Sequence, residues 1–343
     1  MELVLSYTAA TAATAGKLAT ILNVHRVRRA PATVFVSGRI AETEREVRRP
    51  ATEAAGDLSD VNPSPYRHAR VLRKPPWSVP QPSDRLIAEE ITRGALAVRE
   101  ALGRPCRGVR PAEGAGAGFR GWDTNLSAMR DAGLRWSSAY VRSTYGDTAP
   151  GDLCGPFRYA GDGYPDLLEL PAHGWPDTAL KESVGFAAQA GRPRSGRPTD
   201  SDEEGVDGPK AEPKATVLGR KARADAGAQQ RIVRWPSPFA YPDGLVETPE
   251  QELAAHGATI AAARDAGLPY CCLAFDADST VRPQDPEARV VGMLIDQAAA
   301  QGLTLTTLDA LAGRFAGADP AALAAPEVPP SRAADFDPGT LFA

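Results

Sequence analysis

One short run constrains this chain more than any other. Pro31-Ala32-Thr33-Val34-Phe35-Val36-Ser37-Gly38 is a β-branched and aromatic segment held between a proline and a glycine, the pattern of a strand buried in a largely parallel sheet. Leu3-Val4-Leu5 reads the same way. Between the two lies Ala12 to Asn23, with Leu18, Ile21 and Leu22 on one helical face. The chain therefore opens β-α-β, and two strands joined by a helix run parallel.

The alternation continues. Glu42 to Ala55 is a charged helix interrupted at Pro50. Asp57 to Pro82 reads as a loop holding six prolines together with Asn62, Ser64, Tyr66 and His68. Ser83 to Gly103 is the clearest helix, with Ser83 as its cap, Asp84 in its first turn and Gly103 as its stop. A short strand at Gly108-Val109 precedes a glycine-rich loop, Arg110 to Gly118. Thr124 to Gly133 is a helix, and Leu134 to Tyr140 and Leu167 to Leu170 are strands. Thr248 to Ala266, Pro286 to Gly302 and Thr307 to Phe315 are helices around strands at Pro269 to Phe275 and Leu303 to Leu305.

About seven strand–helix units can be counted. No Gly-x-Gly-x-x-Gly follows the first strand, so a distorted (β/α)7 barrel, mainly parallel with helices outside, is expected rather than an open doubly wound sheet. Residues 1–315 form the expected single domain. The stretch 185–228, poor in large apolar residues, is expected to be a flexible surface insertion, and 316–343 a tail.

Composition narrows the partners. The 343 residues are ample for a core, and a net charge of −4 with a pI near 5.7 argues against a nucleic-acid-binding surface. No apolar run is long enough to cross a membrane, and no signal-type segment begins the chain, so a cytoplasmic protein is expected. Four cysteines are too few and too scattered for a disulfide framework. Cys271 and Cys272 read as buried thiols, and Cys106 and Cys154 follow no metal-ligand spacing.

The Pro31 to Gly38 run, close to Pro-Ala-Thr-Phe-Phe-Val-x-Gly, resembles the polysaccharide deacetylase family, which carries a NodB-type homology domain. Ala54-Ala55-Gly56, Val109-Arg110-Pro111-Ala112-Glu113-Gly114 and Leu273-Ala274-Phe275-Asp276 match later family segments in order, so the resemblance spans roughly Leu3 to Phe315. It implies a barrel and a metal-dependent hydrolysis of N-acetyl groups on sugars. The family ends its first strand in Thr-Phe-Asp-Asp-Gly-Pro, where one Asp is the general base and the other a ligand to a divalent metal such as zinc. Here Ser6-Tyr7-Thr8-Ala9-Ala10-Thr11 stands there, without either carboxylate. Counting without gaps puts the family's two histidines on Asn62 and Tyr66, and its proton-donating histidine on Phe275. Arg110 is kept, although the base it orients in the family is gone. The resemblance thus implies a deacetylase fold without the metal site, and no cofactor is expected.

Other residues at the strand ends offer chemistry beside simpler roles. His173 follows a strand in Pro171-Ala172-His173-Gly174-Trp175-Pro176-Asp177; it can act as an acid or base while Trp175 stacks on a sugar, or the loop can cap the barrel. Asp276 and Asp278 can bind a cation or serve as a base, or form a turn. Arg110 can pair with Glu113, or bind an anion or developing oxyanion. His68 is a surface loop histidine, a leftover metal ligand or a sugar contact. His25 and His256 read as structural. Two functions are compatible with this set. One is a non-catalytic protein that binds a carbohydrate, small molecule or protein partner, with Arg110, Asn62, Tyr66, His68 and Trp175 as contacts. The other is a hydrolase of amide or N-acetyl C–N bonds with a site rebuilt from His173, Asp276, Asp278 and Arg110. Neither nucleic acid nor membrane is expected as a partner.

Overall fold

A computed structural model describes residues 1–43, 59–69, 71, 81–112, 118–139, 153–173 and 248–325. Much of the charged helix expected over 42–55, the 54–56 family match, most of the glycine-rich loop (113–117), Tyr140, Trp175, the 185–228 insertion and the tail from 326 onward lie outside the described residues.

Two sheets carry the fold. The first has the order β3-β2-β1-β8, from β1 (Glu2–Ala9), β2 (Thr33–Ser37), β3 (Asp60–Ser64) and β8 (Tyr270–Asp276), all parallel. β8 runs beside β1 from Glu2 to Thr8. The opposite edge of β1 is shared: Ser6 to Ala9 pair with β2, while Glu2 and Leu3 pair with β9 (Thr304–Leu305). In the second sheet β4 (Gly108–Val109), β5 (Trp136–Ser137) and β7 (Tyr164–Glu169) are parallel, and β6 (Phe157–Tyr159) is antiparallel to β7. Backbone hydrogen bonds join the sheets on either side. The Arg110 N–H donates to the Pro63 carbonyl at 3.2 Å, and His173 forms a parallel bridge with Leu273, its N–H donating to the Cys272 carbonyl at 2.7 Å.

Alternation along the strands sorts side chains into an outer and an inner face. On the outer face of the first sheet Leu3, Leu5, Tyr7, Val34, Val36, Leu273 and Phe275 pack with α1 (Ala12–Arg28), α5 (Pro249–Asp265) and α7 (Arg289–Ala300) through Leu18, Ile21, Ile260 and Leu294. A short helix, α2 (Gly38–Thr43), follows β2 and adds Ile40 and Ala41 to the same cluster. Outside the second sheet, Phe157, Tyr159 and Leu167 meet Ile87 and Ile91 of α3 (Asp84–Leu102) and Leu126 and Met129 of α4 (Asp123–Asp131). Between the sheets lies a third cluster, in which Val4, Phe35, Tyr270 and Cys272 face Trp136 and Leu168. No described helix is long and apolar enough to cross a membrane.

The helix capped by Ser83 is as expected: Ser83 Oγ accepts from the Leu86 N–H at 3.2 Å, and Gly103 stops it at φ 63°. Three expectations need correction. The stretch read as loop from Asp57 contains β3. Its Asp60, Asn62 and Ser64 are inward-facing polar residues, so it lacks the apolar alternation of a strand. Pro63 is tolerated because its carbonyl, not an N–H, meets the next segment. β6 returns against β7, so the strands do not all alternate with helices. Beyond Ala316 the chain does not become loose at once, for Leu323 is 6% exposed in the cluster between the sheets.

The amino-terminal ends of the strands are covered by α8 (Leu308–Ala316). Leu308 and Leu311 enter the inner cluster, the Leu308 N–H donates to Thr33 Oγ1 at 2.9 Å, and the Asp309 N–H donates to Asp60 Oδ2 at 2.7 Å. Trp136 Nε1 donates to Asp309 Oδ1 at 2.8 Å. Burial and the neighbouring Asp309 carboxyl push the Asp60 pKa up to about 7. Below that pH Asp60 stays protonated in the fold where the unfolded chain ionises, and its contribution to stability is lost as pH rises from about 4 through 7. Asp60→Asn keeps an oxygen for the Asp309 N–H and cannot ionise. Urea unfolding should show the variant gaining about 2–3 kcal/mol on wild type between pH 5 and 7; a difference independent of pH would refute the assignment.

Candidate functional site

At the carboxyl ends of the strands the inner face is polar and centres on Arg110, which follows β4. Its guanidinium carbon sits 4.2 Å from the centre of the Phe35 ring. Its Nη2 donates to Ser138 Oγ at 2.9 Å and lies 3.9 Å from Cys272 Sγ. Ser6, on the same side, donates to the Leu273 carbonyl at 2.9 Å, with its Oγ 3.5 Å from Cys272 Sγ. Arg110 is 5% exposed, and its Nε and Nη1 have no hydrogen-bond partner among the described residues. Burial lowers its pKa, but a guanidinium starts so far above neutral that the group stays charged. Burial also raises the Cys272 thiol, which remains neutral.

The strand-end positions that correspond to the resembled family's metal site can be located in this geometry. Thr8 lies between Phe35 and Asp276, and Ala9, in the outer core, pairs with Val36. β3 ends at Ser64, beside Ser37, so the i, i+4 pair at its carboxyl end is Ser64 and His68, two residues beyond the gap-free count. Ser64 Oγ and His68 Nδ1 are 2.9 Å apart, and burial lowers the His68 pKa to about 4. One imidazole, two hydroxyls and a methyl do not make a catalytic zinc site. No three His, Cys, Asp or Glu side chains gather as a metal site among the described residues. The implied metal does not fit this donor set.

Asn62 is further inside, with Oδ1 accepting from the N–H groups of Arg107 at 3.0 Å and Gly108 at 2.8 Å; it ties β3 to β4. Tyr66 packs between α2 and α3, donating to Glu42 Oε2 at 2.7 Å beneath the Arg93 guanidinium.

His173 is 2% exposed, and both ring nitrogens are occupied: the Cys272 N–H donates to Nδ1 at 3.0 Å, and Nε2 donates to the Cys154 carbonyl at 2.8 Å. The first bond fixes the tautomer, and burial holds the pKa near 4. This neutral ring clamps β8 and offers no free nitrogen. Asp276 Oδ1 accepts from the Asp278 N–H at 2.8 Å, capping α6 (Ala277–Thr280), while Asp278 pairs with Lys17 at 2.5 Å on the exposed surface. Phe275 faces the helices, stacked on Tyr7 at 5.4 Å. Glu113 and Trp175 lie outside the described residues.

Sequence reasoning missed Ser138 and Glu169. Ser138 completes the Arg110 surround. Glu169, fully buried, accepts from Ser137 Oγ, Tyr159 Oη and, at 2.7 Å, the Ala139 N–H. Neither residue sits in a motif, and only strand pairing brings its partners together.

No family model and no curated protein matches this chain. Solved structures do. A candidate polysaccharide deacetylase from Mycobacterium smegmatis is 16% identical over 91% of this chain and 89% of its own, with a TM-score of 0.53. A GH57-type branching enzyme from the archaeon Pyrococcus horikoshii is 10% identical over 92% and 71%, with a TM-score of 0.50. A CE4-family pseudoenzyme from Bacillus anthracis is 11% identical over 91% and 65%, with a TM-score of 0.46. The fold is an α/β arrangement with a parallel sheet, similar to that of the polysaccharide deacetylases.

Proposed function

We propose that this chain is a deacetylase-type fold, closed as a distorted (β/α)7 barrel, that has lost the deacetylase reaction and binds a carbohydrate at its strand ends. The closure is supported by the backbone bonds between the sheets at Arg110 and at His173, through which β1, β2, β3, β4, β5, β7 and β8 follow one another in a ring. The loss of reaction rests on one observation: the strand ends present Thr8, Ala9, Ser64 and His68 where the resembled family needs carboxylates and two imidazoles. The carboxylate base is missing from that set, and its donors do not fit the metal that would act as Lewis acid. His173, with both nitrogens bound, does not replace them.

The test is a titration of the full chain with chitotetraose and with N-acetylated glucuronate-containing oligosaccharides, alongside an acetate-release assay with and without added zinc. Saturable binding of either sugar with no acetate released is expected. Metal-dependent acetate release would overturn the reading.

A further inference from the structure

Arg110 is a cation without a paired anion among the described residues. Three of its N–H bonds, one on Nε and two on Nη1, meet no acceptor there. The described groups that touch it are neutral: the Ser138 hydroxyl, the Cys272 thiol and the Phe35 ring. The carboxyls whose charge reaches it are Glu169 and Asp60. Glu169 is held by Ser137, Tyr159 and the Ala139 N–H. Asp60 lies at the opposite strand ends, under α8. Buried polar groups are almost always hydrogen-bonded, and a buried charge is almost always paired. A guanidinium fixed by stacking on one face and by one hydroxyl, with three buried donors unpaired among the described residues, is suited to receive an acceptor from a ligand.

We propose that Arg110 binds the carboxylate of an acidic sugar, a uronate, at the carboxyl ends of the strands. This rests on the glycan-binding reading above and narrows it. The charge count favours a carboxylate, since one monoanion neutralises one guanidinium, whereas a phosphate dianion would leave surplus negative charge among neutral groups. The Phe35 ring covers one face of the guanidinium, so the unpaired donors lie in its plane, where a carboxylate acceptor meets them.

Isothermal titration of the full chain tests this, with a glucuronate–N-acetylglucosamine disaccharide, neutral chitobiose, free acetate and inorganic phosphate as probes. The acidic disaccharide should bind at least about tenfold more tightly than chitobiose, as expected of a charge-assisted contact, and Arg110→Gln should bring the two to equal affinity. Ser138→Ala, which loosens the guanidinium without removing it, should narrow the preference and serves if the first variant does not fold. Equal affinity for both disaccharides in wild type overturns the uronate inference and leaves the glycan reading standing. Phosphate or acetate binding as tightly as the acidic disaccharide also overturns it. Binding of no sugar at all sinks both.

Discussion

Gly108→Ala should cost the protein about 3 kcal/mol or more, the steepest loss expected from any single added methyl group. A Cβ at this position would lie 2.1 Å from Trp136 Cζ2 and 2.2 Å from Cε2. The indole cannot yield. Trp136 is fully buried, held by its Nε1–H bond to Asp309 and set edge-on to Phe35 at 5.9 Å. Pairing of β4 with β5 keeps the two backbones adjacent, so the clash cannot be relieved by sliding. Trp136→Leu vacates that volume and, in the same chain, should return part of the loss. Urea unfolding of both single variants and the double variant measures the coupling. Additive losses would show that the ring and the glycine are not in conflict.

Replacing Glu169 with leucine should cost about 3–5 kcal/mol, because it strands three buried donors. The Ala139 N–H loses its carboxylate acceptor, and the hydroxyls of Ser137 and Tyr159 lose the group on which they converge. Tyr159 also accepts from the Phe119 N–H at 3.0 Å, so the disturbance reaches the turn at Gly118, whose φ of 61° brings its backbone close to that hydroxyl. Glu169→Gln keeps an oxygen for the amide and should cost about 1–2 kcal/mol. Thermal and urea unfolding of the pair separate hydrogen bonding from volume. A leucine variant within about 1 kcal/mol of wild type would mean that the network contributes little.

How much of this can be read from sequence depends on whether a signal is local. The helix after Ser83 is legible because its cap and stop are encoded within a few residues of its ends. The β-α-β opening is legible because an apolar run and an amphipathic face need no partner to be recognised. β3 is not, since Asp-Val-Asn-Pro-Ser becomes a strand only when Asn62 receives two N–H groups from residues 45 and 46 positions away. The same holds at the site. Arg110 stands out through the resemblance, but its lack of a paired anion among the described residues is visible only once Ser138 and Cys272 are seen to be its neighbours. Asp278 reads as half of a cation pair; its partner Lys17 is 261 positions distant. His173 reads as available, but Cys272 beside it fills Nδ1 and the Cys154 carbonyl, 19 positions away, fills Nε2.

The seating of α8 against Thr33, Asp60 and Trp136 has a consequence for biosynthesis. A ribosome delivers these three residues early, and Asp309 follows Trp136 only 173 positions later. Until Leu308 and Asp309 emerge, the nascent polypeptide must carry an open, partly polar floor beneath its two sheets. Emergence of that helix, rather than formation of the first β-α-β unit, would then set the moment at which this protein becomes resistant to proteases.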